Sequence, residues 1–138
     1  MMGYNTQPII PITCEQPIFS PKDDVTYFIG PPINSMPAET GALRKTFIGT
    51  SCVIRAAAIA FSMANTPSNE DIEFTIRVND TTNFVLLTVP TAEHYQSYTR
   101  GLNVPLQQGD FIEIKIKVPA WMTPPIGMGI QVVLFAGL

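Results

Sequence analysis

The sequence predicts an all-β domain, an antiparallel β-sandwich or jelly roll. Three observations carry the prediction. In Ile72-Glu73-Phe74-Thr75-Ile76-Arg77-Val78 every even position is apolar and every odd one polar, and Ile112-Glu113-Ile114-Lys115-Ile116-Lys117-Val118 repeats the pattern. Period two with one wet face is the mark of an antiparallel sheet. About eight short runs of this kind follow one another at intervals of roughly 10–15 residues, separated by turn residues, which is the spacing of a sandwich or jelly roll. No convincing amphipathic helix interrupts them.

The chain up to about residue 41 is rich in proline. Pro8, Pro11, Pro17, Pro21, Pro31, Pro32 and Pro37 forbid helix and disfavour a central strand. Ile9, Ile10, Ile12 and Ile18 sit between them. Residues 1–22 therefore read as an extended, apolar N-terminal arm that lies along a sheet edge, its own or a neighbour's, and residues 23–138 as the domain. Val25-Thr26-Tyr27-Phe28-Ile29 is a strand closed by Gly30-Pro31-Pro32, and residues 44–48 are a short candidate. Residues 52–63 form a longer one, with Val53, Arg55, Ala57, Ile59 and Phe61 on one parity and Ala56, Ala58 and Ala60 on the other. The alanines favour helix; the β-rich neighbours and the Asn65-Thr66-Pro67 turn tip the balance to strand. After residues 72–78, Asn79-Asp80 is a turn pair and residues 84–89 return as the second strand of a hairpin. Residues 102–106 are a weaker strand, Gln108-Gly109-Asp110 is a turn, and Ile130-Gln131-Val132-Val133-Leu134-Phe135 runs almost to the last residue. Chain ends usually fray, so an end this apolar is expected in the core or between subunits.

At 138 residues the chain has the size of one domain with a real core. Charged residues make up 14% of it, against roughly 25% in an average soluble protein. The deficit suggests that another subunit covers part of the surface, since homo-oligomer interfaces are apolar; a neutral surface rich in Thr, Asn and Gln is the alternative. A net charge of −3 with eight scattered basic residues excludes a nucleic-acid footprint. No run of ~18 apolar residues is present to insert into a membrane. The start, MMGYNTQPII, has no basic region followed by a long apolar one, so no signal peptide and synthesis in a cytoplasm are expected. Cys14 and Cys52 do not make a disulfide scaffold. Buried free thiols are expected, with a single bridge as the alternative.

A catalytic site needs convergent titratable groups, and the sequence nominates none. Asp23-Asp24 and Glu70-Asp71 are adjacent pairs, and neighbours on a strand point to opposite faces. No nucleophile elbow, glycine-rich phosphate loop or His-Glu-x-x-His occurs. No enzymatic activity, metal or cofactor is expected. His94, the one histidine, lies in Ala92-Glu93-His94-Tyr95, read as a polar loop. It is a surface histidine unless partners make it a base or a ligand, and no cysteine stands at metal spacing from it. Asn79, Asp80 and Asn83 offer oxygens to calcium, but a turn explains them more simply. Glu73, Arg77, Glu113, Lys115 and Lys117 read as solvated outer faces that pair across strands. Tyrosines in loops suit sugar or protein binding, which makes His94, Tyr95 and Tyr98 the binding candidates.

Three stretches resemble a known family. They are Phe74-Thr75-Ile76-Arg77-Val78-Asn79-Asp80-Thr81-Thr82, then Gln108-Gly109-Asp110-Phe111-Ile112-Glu113-Ile114-Lys115-Ile116, then Val118-Pro119-Ala120-Trp121. In this order they resemble small TNF/C1q-like jelly-roll domains, which recur in phage and other virus surface proteins and at the ends of collagen-like bacterial filaments. Asp24 to Gly30 fits less specifically, and the resemblance covers roughly residues 24–138. It implies a homotrimer with one sheet of each copy facing the threefold axis, and a structural Trp121 closing the strand after Val118. No binding residue transfers, because the family binds through variable loops and interprotomer grooves. The chain departs from fibre proteins in having neither a collagen repeat nor a heptad stalk. The expectation is a structural virion surface protein, a trimeric capsid decoration or fibre head. Its arm docks to a capsid or other virion protein, and its loops mediate host attachment through a surface glycan or protein. The alternative is a cell-encoded C1q/TNF-like carbohydrate- or protein-binding module.

Overall fold

The computed structural model describes residues 9–22, 24–30, 45–63, 70–90, 94–122 and 125–138. Among them every regular element is a strand: β1 (Ile9–Phe19), β2 (Thr26–Ile29), β3 (Thr46–Phe47), β4 (Cys52–Met63), β5 (Asp71–Val78), β6 (Thr82–Pro90), β7 (His94–Thr99), β8 (Val104–Leu106), β9 (Phe111–Lys117) and β10 (Met128–Gly137). They form an antiparallel β-sandwich. Sheet A runs β1-β10-β4-β7, with β8 paired to the other half of β4. Sheet B runs β2-β9-β5-β6, with β3 paired to the start of β9. The pairing is nested: β1 with β10, β2 and β3 with β9, β4 with β7 and β8, and β5 with β6. The chain is thus one long hairpin whose two arms wind together from sheet to sheet.

The inward positions of β5 and β9 fall where alternation places them. Ile72, Phe74 and Ile76 from β5 and Ile112, Ile114 and Ile116 from β9 are fully buried against Ile54, Ile59, Val132 and Leu134 of sheet A. An aromatic column crosses the sandwich. Tyr95 of β7 stacks on Phe61 of β4 at 5.1 Å between centroids, and Phe61 stacks on Phe74 of β5 at 6.0 Å. Trp121 is buried in the same core, and its indole N–H donates to the Lys22 carbonyl at 3.2 Å.

Residues 52–63 form a strand throughout. Their single expected parity holds only from Ala57 onward. Ala136 pairs with Ile54 and Phe135 with Ala56, which leaves Arg55 as an extra, bulged residue. Before the bulge Cys52 and Ile54 face the core; after it Ala57, Ile59, Phe61 and Met63 do. The N-terminal arm takes the edge of its own sheet, with Ile9–Phe19 lying antiparallel to β10. Two prolines are tolerated there because an edge strand leaves one row of amides unpaired. Pro17 falls within the register shift between Gln16 and Phe19.

Both cysteines are buried and free, as expected. Burial pushes the Cys14 thiol up to about 12 and raises that of Cys52. Cys14 lies opposite Val132, which lies opposite Ile59. Cys52 stands seven residues further along β4, roughly 23 Å away. A disulfide needs Cα atoms within about 7 Å. The Asn65-Thr66-Pro67 turn, the prolines at 31–37, Ala92-Glu93 and residues 1–8 lie outside the described residues.

Candidate functional site

The two outer faces of the sandwich differ in chemistry. The strands of sheet B carry Asp71, Glu73, Arg77, Glu113, Lys115 and Lys117, whereas those of sheet A carry only Glu15 and Arg55 as formal charges. The outer positions of sheet A are small or apolar at its centre. Ala56, Ala58 and Ala60 of β4 lie beside Phe135, Val133 and Gln131 of β10. Tyr98 pairs with Ala58. Because that alanine is short, the Tyr98 ring reaches over it to Phe135, with centroids 5.8 Å apart. The alanines that weaken the sequence pattern as a strand make this face flat.

The three binding candidates fall on β7, not in a loop. The pattern is hard to read because β7 has no aliphatic residue: HYQSYT is an edge strand that half-buries alternate positions. Tyr95, Ser97 and Thr99 lie opposite the core residues Phe61, Ile59 and Ala57. Tyr95 is therefore held inward on Phe61. His94 and Tyr98 lie on the outer face, where the His94 Nδ1 is 3.3 Å from Ser62 Oγ and the Arg100 guanidinium lies 5.5 Å over the Tyr98 ring. The structure does not bring the three together as one cluster. Hollows flank the end of β4 on both sides, one of about 450 Å³ beside Ile18 and Gly129, the other of about 330 Å³ beside His94 and Gln96.

The motif residues Asn79 and Asp110 build a structural corner. Asn79 and Asp80 both have positive φ, 52° and 60°, and Thr81 N–H donates to the Val78 carbonyl at 3.1 Å, the type I′ geometry of a hairpin turn. The Asn79 side chain donates from Nδ2 to Asp110 Oδ1 and accepts from Phe111 N–H, both at 3.0 Å. Asp110 Oδ2 accepts from Gln107 N–H at 2.8 Å. These bonds, that from Asn79 first, hold the Asp110 carboxyl below its usual range. One asparagine thus ties the β5–β6 turn to the start of β9. Asn79→Ala loses two side-chain bonds and places alanine in the left-handed region, and an expected loss of about 2 kcal/mol follows. Asn79→Gly keeps the turn conformation and is expected to lose about half as much; equal losses in urea unfolding would contradict this division.

Sheet B holds a buried acid that alternation does not reveal. Glu113 points to the outer face, as expected, but it is 2% exposed and not solvated. Phe28 is also buried without belonging to the core cluster, and the Arg77 guanidinium lies 5.3 Å over its ring. Arg77 Nη1 stands 3.6 Å from Glu113 Oε1, yet neither carboxylate oxygen has a hydrogen-bond partner. Lys45 Nζ bonds Asp80 Oδ2 at 2.7 Å and sits 4.1 Å over the Phe111 ring. Burial pushes the Glu113 carboxyl up to about 7; Arg77 opposes this and the Asp80 carboxylate adds to it. Asp80 itself is held below its usual range, first by the Lys45 hydrogen bond. The sequence signal was weak: aromatic residues at outward positions of β2 and β9.

No protein-family model matches the chain, and no curated protein matches it. Among solved structures, the crystal structure of FLHE is similar, with 12% identity and a TM-score of 0.49 over 96% of this chain and 98% of that one.

Proposed function

We propose that the chain is a structural module of a virion surface: a TNF/C1q-like jelly roll that assembles as a homotrimer through the outer face of sheet A, as capsid decoration or fibre head. The observation that carries this reading is the charge asymmetry between the two outer faces. Four strands at ~4.8 Å spacing and about ten residues at ~3.3 Å make a face of roughly 600 Å². That is the scale of one partner's share in a standard interface, about 800 Å². The nested strand pairing supports the jelly-roll part. The three motif stretches support the link to virus surface domains. In this reading His94 and Tyr98 belong to the subunit contact, and the end loops are left to meet a host glycan or protein.

Light scattering tests the assembly. The expected mass is three times the 15.1 kDa of one chain. Ala58→Arg places a charge at the centre of the contact and is expected to yield folded monomers, because an unpaired charge buried there loses several kcal/mol of association. A wild-type monomer at micromolar concentration sinks the proposal. The virion part is tested by whether the trimer binds purified particles from which it has been stripped.

A further inference from the structure

Glu113 is buried beside the β5–β6 turn, and two cations come to the space around it from opposite sides of β9. Arg77 stands directly across from it on β5. Lys45, just before β3, reaches Asp80 in the turn. β6 places Asn83 opposite Arg77 and adds no charge there. β2 contributes the Phe28 ring under the guanidinium. On β9 itself the next outward residue is Lys115. Among the described residues, the charged groups that act on Glu113 are Arg77, Asp80 and Lys45.

The bonding pattern around Glu113 is that of a neutral acid. An ionised carboxylate draws a guanidinium to about 2.7–2.9 Å. Arg77 Nη1 stays 3.6 Å from Glu113 Oε1, while its Nη2 donates to the uncharged Asp80 carbonyl at 2.9 Å. The Glu113 and Asp80 side chains come within hydrogen-bonding reach of one another. Two carboxylates have no donor between them, and both Glu113 oxygens are then left without a partner. One proton on Glu113 removes the difficulty, since Asp80 can accept it as a hydrogen bond. Asp80 stays ionised because Lys45 Nζ bonds its Oδ2 at 2.7 Å.

We propose that Glu113 and Asp80 share one proton, that this proton latches the β5–β6 turn to β9, and that its loss transfers Arg77 from the turn to Glu113. Without the proton the two carboxylates repel, and a buried carboxylate needs a charged donor. Arg77 Nη1 has to close less than about 1 Å to supply one. That shift takes Nη2 away from the Asp80 carbonyl. The turn keeps its Lys45 and Asn79 bonds, so it loosens without unfolding. Burial pushes the Glu113 carboxyl up to about 7; the latch is closed below that pH and released above it. It lies on sheet B and does not rest on the assembly proposed for sheet A.

NMR of the full chain tests the latch. The Glu113 carboxyl is expected to titrate at about 7. In Glu113→Gln the side-chain amide replaces the acid proton as donor to Asp80 and holds the latch closed at every pH. The readout is the Thr81 N–H, which closes the turn on the Val78 carbonyl. At about pH 8.5 it is expected to exchange with water about 10-fold faster in the wild type than in Glu113→Gln, and at about pH 5 equally fast in both. Comparing the two proteins at one pH cancels the intrinsic effect of hydroxide. Asp80→Asn removes the like charge and is expected to weaken the proton affinity of Glu113 about tenfold. Equal Thr81 exchange at the higher pH, with Glu113 titrating as expected, makes Glu113 a buried acid with no hold on the turn and overturns the latch. A Glu113 already ionised at about pH 5, or one whose midpoint ignores Asp80→Asn, overturns the shared proton.

Discussion

Phe61→Ala is expected to lower the unfolding free energy by about 4 kcal/mol, within the ~3–5 kcal/mol typical of buried Phe-to-Ala changes. Phe61 is the middle of the Tyr95–Phe61–Phe74 column and is the ring through which sheet A touches sheet B there. Removing it leaves a cavity flanked by two aromatic faces that β-sheet backbones hold apart, so little collapse can fill it. Domains of this kind have about 5–15 kcal/mol in total, and the loss is a large fraction of that. Phe61→Leu keeps most of the volume and is expected to lose about 1.5 kcal/mol. The single tryptophan, Trp121, is buried in the same core and reports the transition by fluorescence during urea unfolding. A loss under about 1 kcal/mol for the alanine variant, below the range for such changes, would mean that the column does not bridge the sheets.

Glu113→Gln is expected to stabilise the protein at pH 8 by about 3 kcal/mol and to change nothing below about pH 4. The folded carboxyl is raised to about 7, from an ordinary value near 4.5. Between these values the folded state holds a proton that the unfolded state has lost, so wild-type stability falls as pH rises from about 4.5 to 7, and the full penalty is present above 7. A tenfold change in proton affinity between the two states is worth about 1.4 kcal/mol. Glutamine keeps the shape without the charge and escapes the penalty. The Asp80 carboxyl, held below its usual range, acts in a different window: its contribution is present above its unfolded value and is lost as pH falls through the folded one. Stability curves of the two proteins at about pH 4, 6 and 8 check the prediction. Parallel curves, or a variant less stable at the alkaline end, would show that the Arg77 ion pair outweighs the burial of Glu113.

How far these features can be read in advance depends on whether they are local. β5 and β9 were legible almost to the residue because apolar and polar side chains alternate without a break from Ile72 to Val78 and from Ile112 to Val118. β4 was legible in its ends but not in its facing, since the bulge at Arg55 leaves no trace in a row of small residues. β7 escaped because its inward side chains are Tyr, Ser and Thr, whose burial is decided by Phe61, Ile59 and Ala57 on the neighbouring strand. The burial of Glu113 is a still longer-range fact. Alternation sets its direction correctly, but its removal from water depends on groups such as Phe28, brought alongside by the pairing of β2 with β9. The turn chemistry of Asn79 and Asp110 was visible at each position separately; that the two side chains join is a property of the fold. The weight of the alanines was legible only as a conflict with strand. Their meaning emerges once β10 and β7 lie on either side.

The position of β10 bears on how the chain reaches its structure. It is the last of the described strands and lies inside sheet A, between β1 and β4. During synthesis both neighbours emerge long before it and wait with apolar faces and open backbone edges. Sheet A is therefore completed only by pairing segments far apart in the chain, a slow event for any protein dominated by distant contacts. Until then β1 and β4 are the segments most prone to join the wrong molecule. The pairing of β10 with β1 and β4, which precede it in the chain, is therefore the step that decides between folding and aggregation.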